Sequence, residues 1–148
     1  MRNDNDLFFV CSLIEFLGRE RRLSRKEVVA RLGKETIQRV YDYADVFHCE
    51  PIAKVADDFV QLRSLPTGSY DNVADCRYNV PDYWTIGKVY ARLIDDVAER
   101  DGSSPIDALE KVYASWIDEA ISNYNSDFFY QPRDYLFACF DEGEVLDG

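Results

Sequence analysis

Histidine occurs once in the chain, at His48, and the four cysteines, Cys11, Cys49, Cys76 and Cys139, form no C-x-x-C pair. A Cys/His zinc site therefore lacks its paired scaffold, and thiols spaced so far apart read as reduced and mostly buried. Also missing are a glycine-rich phosphate loop, a Walker lysine, a G-x-S-x-G elbow and an H-E-x-x-H pair, so the sequence carries none of these catalytic signatures. His48-Cys49 is the one pairing that suggests thiol chemistry, but adjacent side chains diverge and nothing nearby completes a triad. A non-enzymatic protein is expected, with no catalytic residue, no metal and no cofactor.

Long apolar runs are absent as well. The best, Leu7 to Leu17, is interrupted by Ser12 and Glu15 and falls well short of the ~20 residues that cross a bilayer. The stretch Met1-Arg2-Asn3-Asp4-Asn5-Asp6 places acids where a secretory leader needs a basic region, so a cytoplasmic protein with no membrane contact is expected.

What is present is an aromatic-rich chain of ordinary globular composition, with ten tyrosines and nine phenylalanines in 148 residues. A chain of this length buries roughly 70% of its unfolded surface and folds without staples. The net charge of −11 hides an asymmetry: Arg19 to Arg39 holds eight basic residues against three acids, a local +5, which leaves the remainder at −16. Charge distributed so unevenly bears on partners and solubility rather than on fold.

Periodicity predicts a mostly all-α protein in two lobes, residues 1–63 and 83–148, joined by a loop at 64–82. In the first lobe a core helix runs from about Asn5 to Leu17, with Gly18 placed to end it. Ser24 and Glu27 then form a capping box for a short helix ending at Gly33. A third helix spans Glu35 to about Phe47, and a fourth starts at Pro51 and reaches about Arg63. Val60-Gln61-Leu62-Arg63 alternates, so an extended piece and a winged-helix variant stay open. Pro66, Gly68, Ser69, Asn72, Asn79 and Pro81 break the period in the loop. The second lobe has three helices: one capped by Asp82 or Thr85 and ending at Gly102, one of about five turns from Ser104-Pro105 to Ile121, and one from Pro132 to Glu142 before Gly143.

Two stretches suggest partners. Helix, short turn and helix across Ser24 to Phe47, rich in arginine and lysine, outline a helix-turn-helix. Phosphate or base contacts would then come from Arg21, Arg22, Arg25, Lys26, Gln38 and Arg39. The connection Ser122 to Tyr135 is unusually aromatic: Tyr124, Phe128, Phe129 and Tyr130 offer rigid contact area, and Asn125 and Asp127 offer hydrogen bonds to a partner's backbone. The competing expectation is that this loop folds back to close the bundle. The acid pairs Asp57-Asp58, Asp95-Asp96 and Asp118-Glu119 are adjacent rather than spaced along one helical face and read as solvated.

Residues 6 to 60, through Asp6-Leu7-Phe8-Phe9-Val10-Cys11, Leu23-Ser24-Arg25-Lys26-Glu27-Val28, Val40-Tyr41-Asp42 and His48, resemble a family of small bacterial helical domains of unknown function. That family has an N-terminal Phe-Phe pair, a Leu-Ser-x-Lys-Glu-Val core and a Tyr-Asp ahead of a histidine. Such domains are often encoded beside ADP-ribosyltransferase-like toxin candidates, so the resemblance implies an antitoxin or accessory role; the C-terminal half lies outside it. The leading expectation is a protein-interaction module that pairs with a protein, a toxin by that resemblance. The alternative is a helix-turn-helix regulator on DNA.

Overall fold

In the computed structural model, which describes residues 4–147, the first helix, α1 (Asp4–Arg21), is embedded on nearly every side. Leu7, Phe9, Val10, Cys11, Leu13, Ile14 and Leu17 are all buried, too many positions for the single stripe of a surface helix. The polar residues Ser12 and Glu15 go inside with them. Gly18 does not end α1. Leu23 N donates to its carbonyl at 2.9 Å, and a Cβ there would lie 2.9 Å from the Leu23 carbonyl oxygen, so the glycine serves close approach rather than termination. The chain turns at Arg22, with φ +55.

α2 (Arg25–Leu32) starts as expected, Ser24 Oγ accepting from Glu27 N at 3.2 Å, a cap of about 1 kcal/mol. Only half of the box forms, because the Glu27 carboxylate pairs with Arg31 at 2.8 Å instead of reaching back. After Gly33, at φ +82, the expected third helix is split into α3 (Lys34–Asp42) and α4 (Ala44–Phe47) at Tyr43, whose φ is −115. α5 (Ile52–Arg63) contains Val60 to Arg63, so the extended alternative and its wing do not form. No strand occurs among the described residues.

The loop expected at 64–82 forms, Ser64 being the left-handed cap of α5 and residues 65–82 following it. Gly68 N and Tyr70 N donate to the carbonyls of Arg21 and Arg22 at 2.8 and 3.0 Å, which clasps the loop to the end of α1. α6 (Tyr83–Asp101) begins at an Asp82 cap and stops at Gly102 in the left-handed region. The expected five-turn helix is two, α7 (Pro105–Tyr113) and α8 (Ile117–Ser122). Ser115 Oγ donates to the Val112 carbonyl at 2.7 Å and accepts from Ile117 N at 3.3 Å, so a side chain takes backbone groups that the helix ladder would use. A 3-10 turn at Phe128–Tyr130 precedes α9 (Arg133–Glu142).

The two lobes read from the sequence share one core. α1 lies chiefly against α6 and takes α2, α3 and α5 on its other sides, and the buried cluster runs unbroken from Leu7 to Cys139. Where α1 meets α6, a Cβ on Gly87 would sit 2.2 Å from Ser12 Oγ; the absence of a side chain is what lets the two longest helices touch. None of the described helices is long and apolar enough to cross a membrane.

Candidate interaction surface over a buried arginine

Arg25, the first residue of α2, is 4% exposed. Its Nε donates to Asp118 Oδ1 at 2.8 Å and to the Tyr90 hydroxyl at 3.1 Å. Nη1 donates to Glu15 Oε1 and to the Tyr124 hydroxyl, the latter at 2.9 Å, and Nη2 donates to Ser122 Oγ at 2.6 Å. Tyr124 Oη in turn donates to Glu15 Oε2 at 2.7 Å, and Tyr90 Oη donates to Asp118 Oδ1. Arg19 Nε reaches the same Glu15 oxygen at 2.7 Å while its Nη2 holds the Pro81 carbonyl at 2.6 Å. Two cations thus meet two carboxylates, and one side chain ties α1, α2, α6 and α8 to the segment that follows α8. Buried charge is tolerable only when paired and hydrogen-bonded in this way.

The electrostatics follow from that geometry. Burial would push the Glu15 carboxyl up, but Arg25, Arg19 and the Tyr124 hydroxyl outweigh it and hold it below its ordinary value. Burial is the leading cause that raises the Tyr90 and Tyr124 hydroxyls, the Arg25 cation pulling the other way. The Tyr90 ring stacks on Tyr113 at 4.4 Å and lies 4.9 Å from the Arg25 guanidinium carbon. Behind Tyr113, burial pushes the Cys11 thiol up to about 12.

The loop 65–82 and the segment after α8 are laced together outside this hub. Asn72 Nδ2 donates to the Ser122 carbonyl at 2.8 Å, Asn125 Nδ2 to the Asp75 carbonyl at 3.0 Å, and Arg77 N to Asn125 Oδ1 at 2.7 Å. Three depressions surround the segment 123–131. One of about 500 Å³ is bounded by Tyr70, Asp75, Asp118, Glu119 and Tyr124. A second, of about 910 Å³, lies among Trp116, Asn123, Phe128 and Tyr135. A third, of about 960 Å³, lies among Arg77, Tyr78, Asn125, Asp127, Phe129 and Tyr130.

Five of the six residues expected to meet a partner, Tyr124, Asn125, Asp127, Phe129 and Tyr130, therefore border one depression, and Phe128 borders its neighbour. Their exposure differs from the expectation. Tyr124, Phe128 and Phe129 are buried, 3%, 7% and 7% exposed: Tyr124 and Phe129 meet edge to face at 5.6 Å, and Phe128 leans on Trp116 and Tyr135. The segment folds back to close the bundle, and Asn125 spends its amide on the neighbouring loop. Asp127 and Tyr130 stay outside, with Tyr130 78% exposed and resting on Phe129 at 5.0 Å.

The six expected nucleic-acid contacts are also divided. Arg25 cannot meet a phosphate, because its charge is consumed inside the protein. Arg21 is half-buried with Nη2 on the Leu65 carbonyl at 2.9 Å, and Gln38 is engaged by Asp42 of its own helix at 2.9 Å. Arg22, Lys26 and Arg39 are exposed. A single residue, Gly33, joins α2 to α3, tighter than the three- or four-residue turn of the DNA-reading motif.

His48 and Cys49 are both exposed, Sγ 3.8 Å from Nδ1, and neither borders these depressions. No group of three or more His, Cys, Asp or Glu suited to a metal ion occurs among the described residues. Asp118, read as solvated, is buried, and Asp95 and Asp96 hold Arg133. Glu15, Tyr90 and Asp118 were not expected as a unit. The available signal was a carboxylate at position 15 inside the largely apolar run Leu7 to Leu17, which calls for a buried cation. Comparison with protein families, with curated proteins and with solved structures finds no match.

Proposed function

We propose that this protein is a non-enzymatic protein-interaction module whose contact surface is the seam between the loop 65–82 and the segment 123–131. The observation that carries the reading is the ring of three depressions around that segment, one of them flanked by Tyr130 and Tyr78, at 78% and 70% exposure. Tyrosine supplies broad, rigid, amphipathic contact area at small entropic cost, as interfaces favour. The surface is also pre-organised, since the buried Arg25 network and the Asn125 lacing fix the backbone beneath it, which lowers the cost of binding. The resemblance in residues 6 to 60 supports a bacterial toxin as the partner and a neutralising or accessory role for this chain.

The test is recovery of the native protein with its partner from its source cells, with and without nuclease, followed by reconstitution of the purified pair. Tyr78→Ala and Tyr130→Ala should each weaken the complex about tenfold or more while melting within about 0.5 kcal/mol of the parent. A double variant that binds with parental affinity would refute the surface, and an eluate holding DNA and no protein partner would move the function to the exposed Arg22, Lys26 and Arg39.

A further inference from the structure

The loop 65–82 is irregular throughout and is fastened mainly by hydrogen bonds. Leu65 is buried, residues 66–82 are half-buried or exposed, and Val73, Cys76 and Val80 lean on the core from outside. Both ends are pinned to the last turn of α1, where Arg21 Nη2 holds the Leu65 carbonyl at 2.9 Å and Arg19 Nη2 holds the Pro81 carbonyl at 2.6 Å. Between those pins the loop has two fastened limbs. On the first, Gly68 N and Tyr70 N donate to the Arg21 and Arg22 carbonyls. On the second, Asn72 Nδ2 donates to the Ser122 carbonyl, Asn125 Nδ2 donates to the Asp75 carbonyl, and Arg77 N donates to Asn125 Oδ1.

The floor under the second limb has two faces. Ser122 Oγ and Tyr124 Oη turn inward and accept from Arg25, while the Ser122 carbonyl and the Asn125 amide turn outward to the loop. The buried network therefore fixes the floor, and the loop rests on it through groups that water can replace. A hydrogen bond exchanged for water contributes little net stability, whereas parting the helices exposes apolar surface. Segments with few buried apolar contacts open at lower free energy than the core. The fastenings also depend on one another, because releasing one lengthens the free span that the next must close. Gly68 sets the fit of the first limb: a Cβ there would lie 2.6 Å from the Arg22 carbonyl oxygen.

We propose that residues 66–81 are a strap that opens and closes as one unit over the segment 122–125 while the helices stay packed. Its ends stay pinned by Arg19 and Arg21, and its two limbs lift together. The strap carries Tyr78 and the segment after α8 carries Tyr130, so the two exposed rings of the contact surface stand side by side only when the strap is shut. That consequence rests on the interaction reading above, whereas the opening itself belongs to the free chain. Whatever holds the strap shut assembles the surface, and whatever lifts it takes the surface apart.

The test is amide hydrogen exchange of the full chain, followed by NMR in rising urea kept below the unfolding transition. Corrected for their intrinsic rates, the amides of Gly68, Tyr70 and Arg77 should converge on one opening, faster and with a shallower urea slope than the amides of α1 and α6. Asn125→Ala, at an exposed side chain, removes two fastenings of the second limb and should speed exchange at Gly68 and Tyr70 on the first limb about tenfold. Gly68→Ala should in turn speed exchange at Arg77, and the α1 and α6 amides should keep their parental rates in both variants. Effects confined to the substituted limb, strap amides that exchange only together with α1 and α6, or strap amides as fast as unprotected ones would each overturn the proposal. Tyr78→Ala and Tyr130→Ala variants that keep the partner's affinity would refute the contact surface without altering these exchange readings, and strap amides that merge with the helices would refute the strap without removing the surface.

Discussion

The basic stretch Arg19 to Arg39 and the aromatic stretch Tyr124 to Tyr130 look alike in one respect: each is dense in a residue type that proteins use on contact surfaces. The fold treats both in the same way. It draws Arg25 from the first inside and Tyr124, Phe128 and Phe129 from the second, and bonds Arg25 to Tyr124 at 2.9 Å. Their immediate neighbours Lys26 and Asn125 stay exposed. Composition therefore measures how many contact-capable side chains a stretch has, whereas the fold decides which of them is spent on the interior.

The sharpest way to break this comparison is Arg25→Met. It strands the Glu15 and Asp118 carboxylates in the core and should cost about 3–5 kcal/mol, read as a lowered denaturant midpoint with an unchanged slope. A loss under about 1 kcal/mol would mean that the arginine is dispensable to the interior. Next comes Tyr124→Phe, which keeps the ring and deletes the hydroxyl between Arg25 and Glu15; about 1–3 kcal/mol is expected.

Acid sharpens the inner half. The Glu15 carboxyl is lowered from 4.5 in the fold, so below about pH 4.5 the unfolded chain binds that proton more readily than the folded one. The contribution is complete above that pH and fades as pH falls through the folded value, at up to about 1.4 kcal/mol per unit. Glu15→Gln should flatten this part of the acid limb, and an unchanged limb would assign it to other carboxylates. The smallest effects belong to the outer half. Lys26→Ala and Tyr130→Ala should each stay within about 0.5 kcal/mol in thermal melts, and a larger loss from either would erase the distinction between inner and outer members.

Apart from the end of α1, which runs past Gly18 to Arg21, several helix ends were legible because local chemistry sets them. Ser24, Asp82 and Ser104 cap where their spacing implies, and Gly102 and Gly143 take the left-handed conformation past α6 and α9. The splits at Tyr43 and at Ser115 were not legible, because apolar periodicity continues straight across both. The hub was out of reach for a different reason. Arg25 meets partners 65, 93 and 99 residues away, and no local pattern selects one arginine among eight basic residues for such a pairing. The aromatic segment was found by composition but misjudged in depth. A ring that closes a bundle and a ring that meets a partner have the same side chain, and only the packing of Trp116, Phe128 and Tyr135 separates them.

The cysteines turn this arrangement into a clock. Cys49 is exposed, whereas Cys11 and Cys139 are sealed in the core, and a thiol pushed up to about 12 yields almost no thiolate at neutral pH. Alkylation of Cys49 proceeds at the rate of the reagent, while alkylation of Cys11, buried on α1 against Tyr113 of α7, waits for the core to open. The difference between those two rates times the opening of the whole fold from within, with no dye or tag added to the chain.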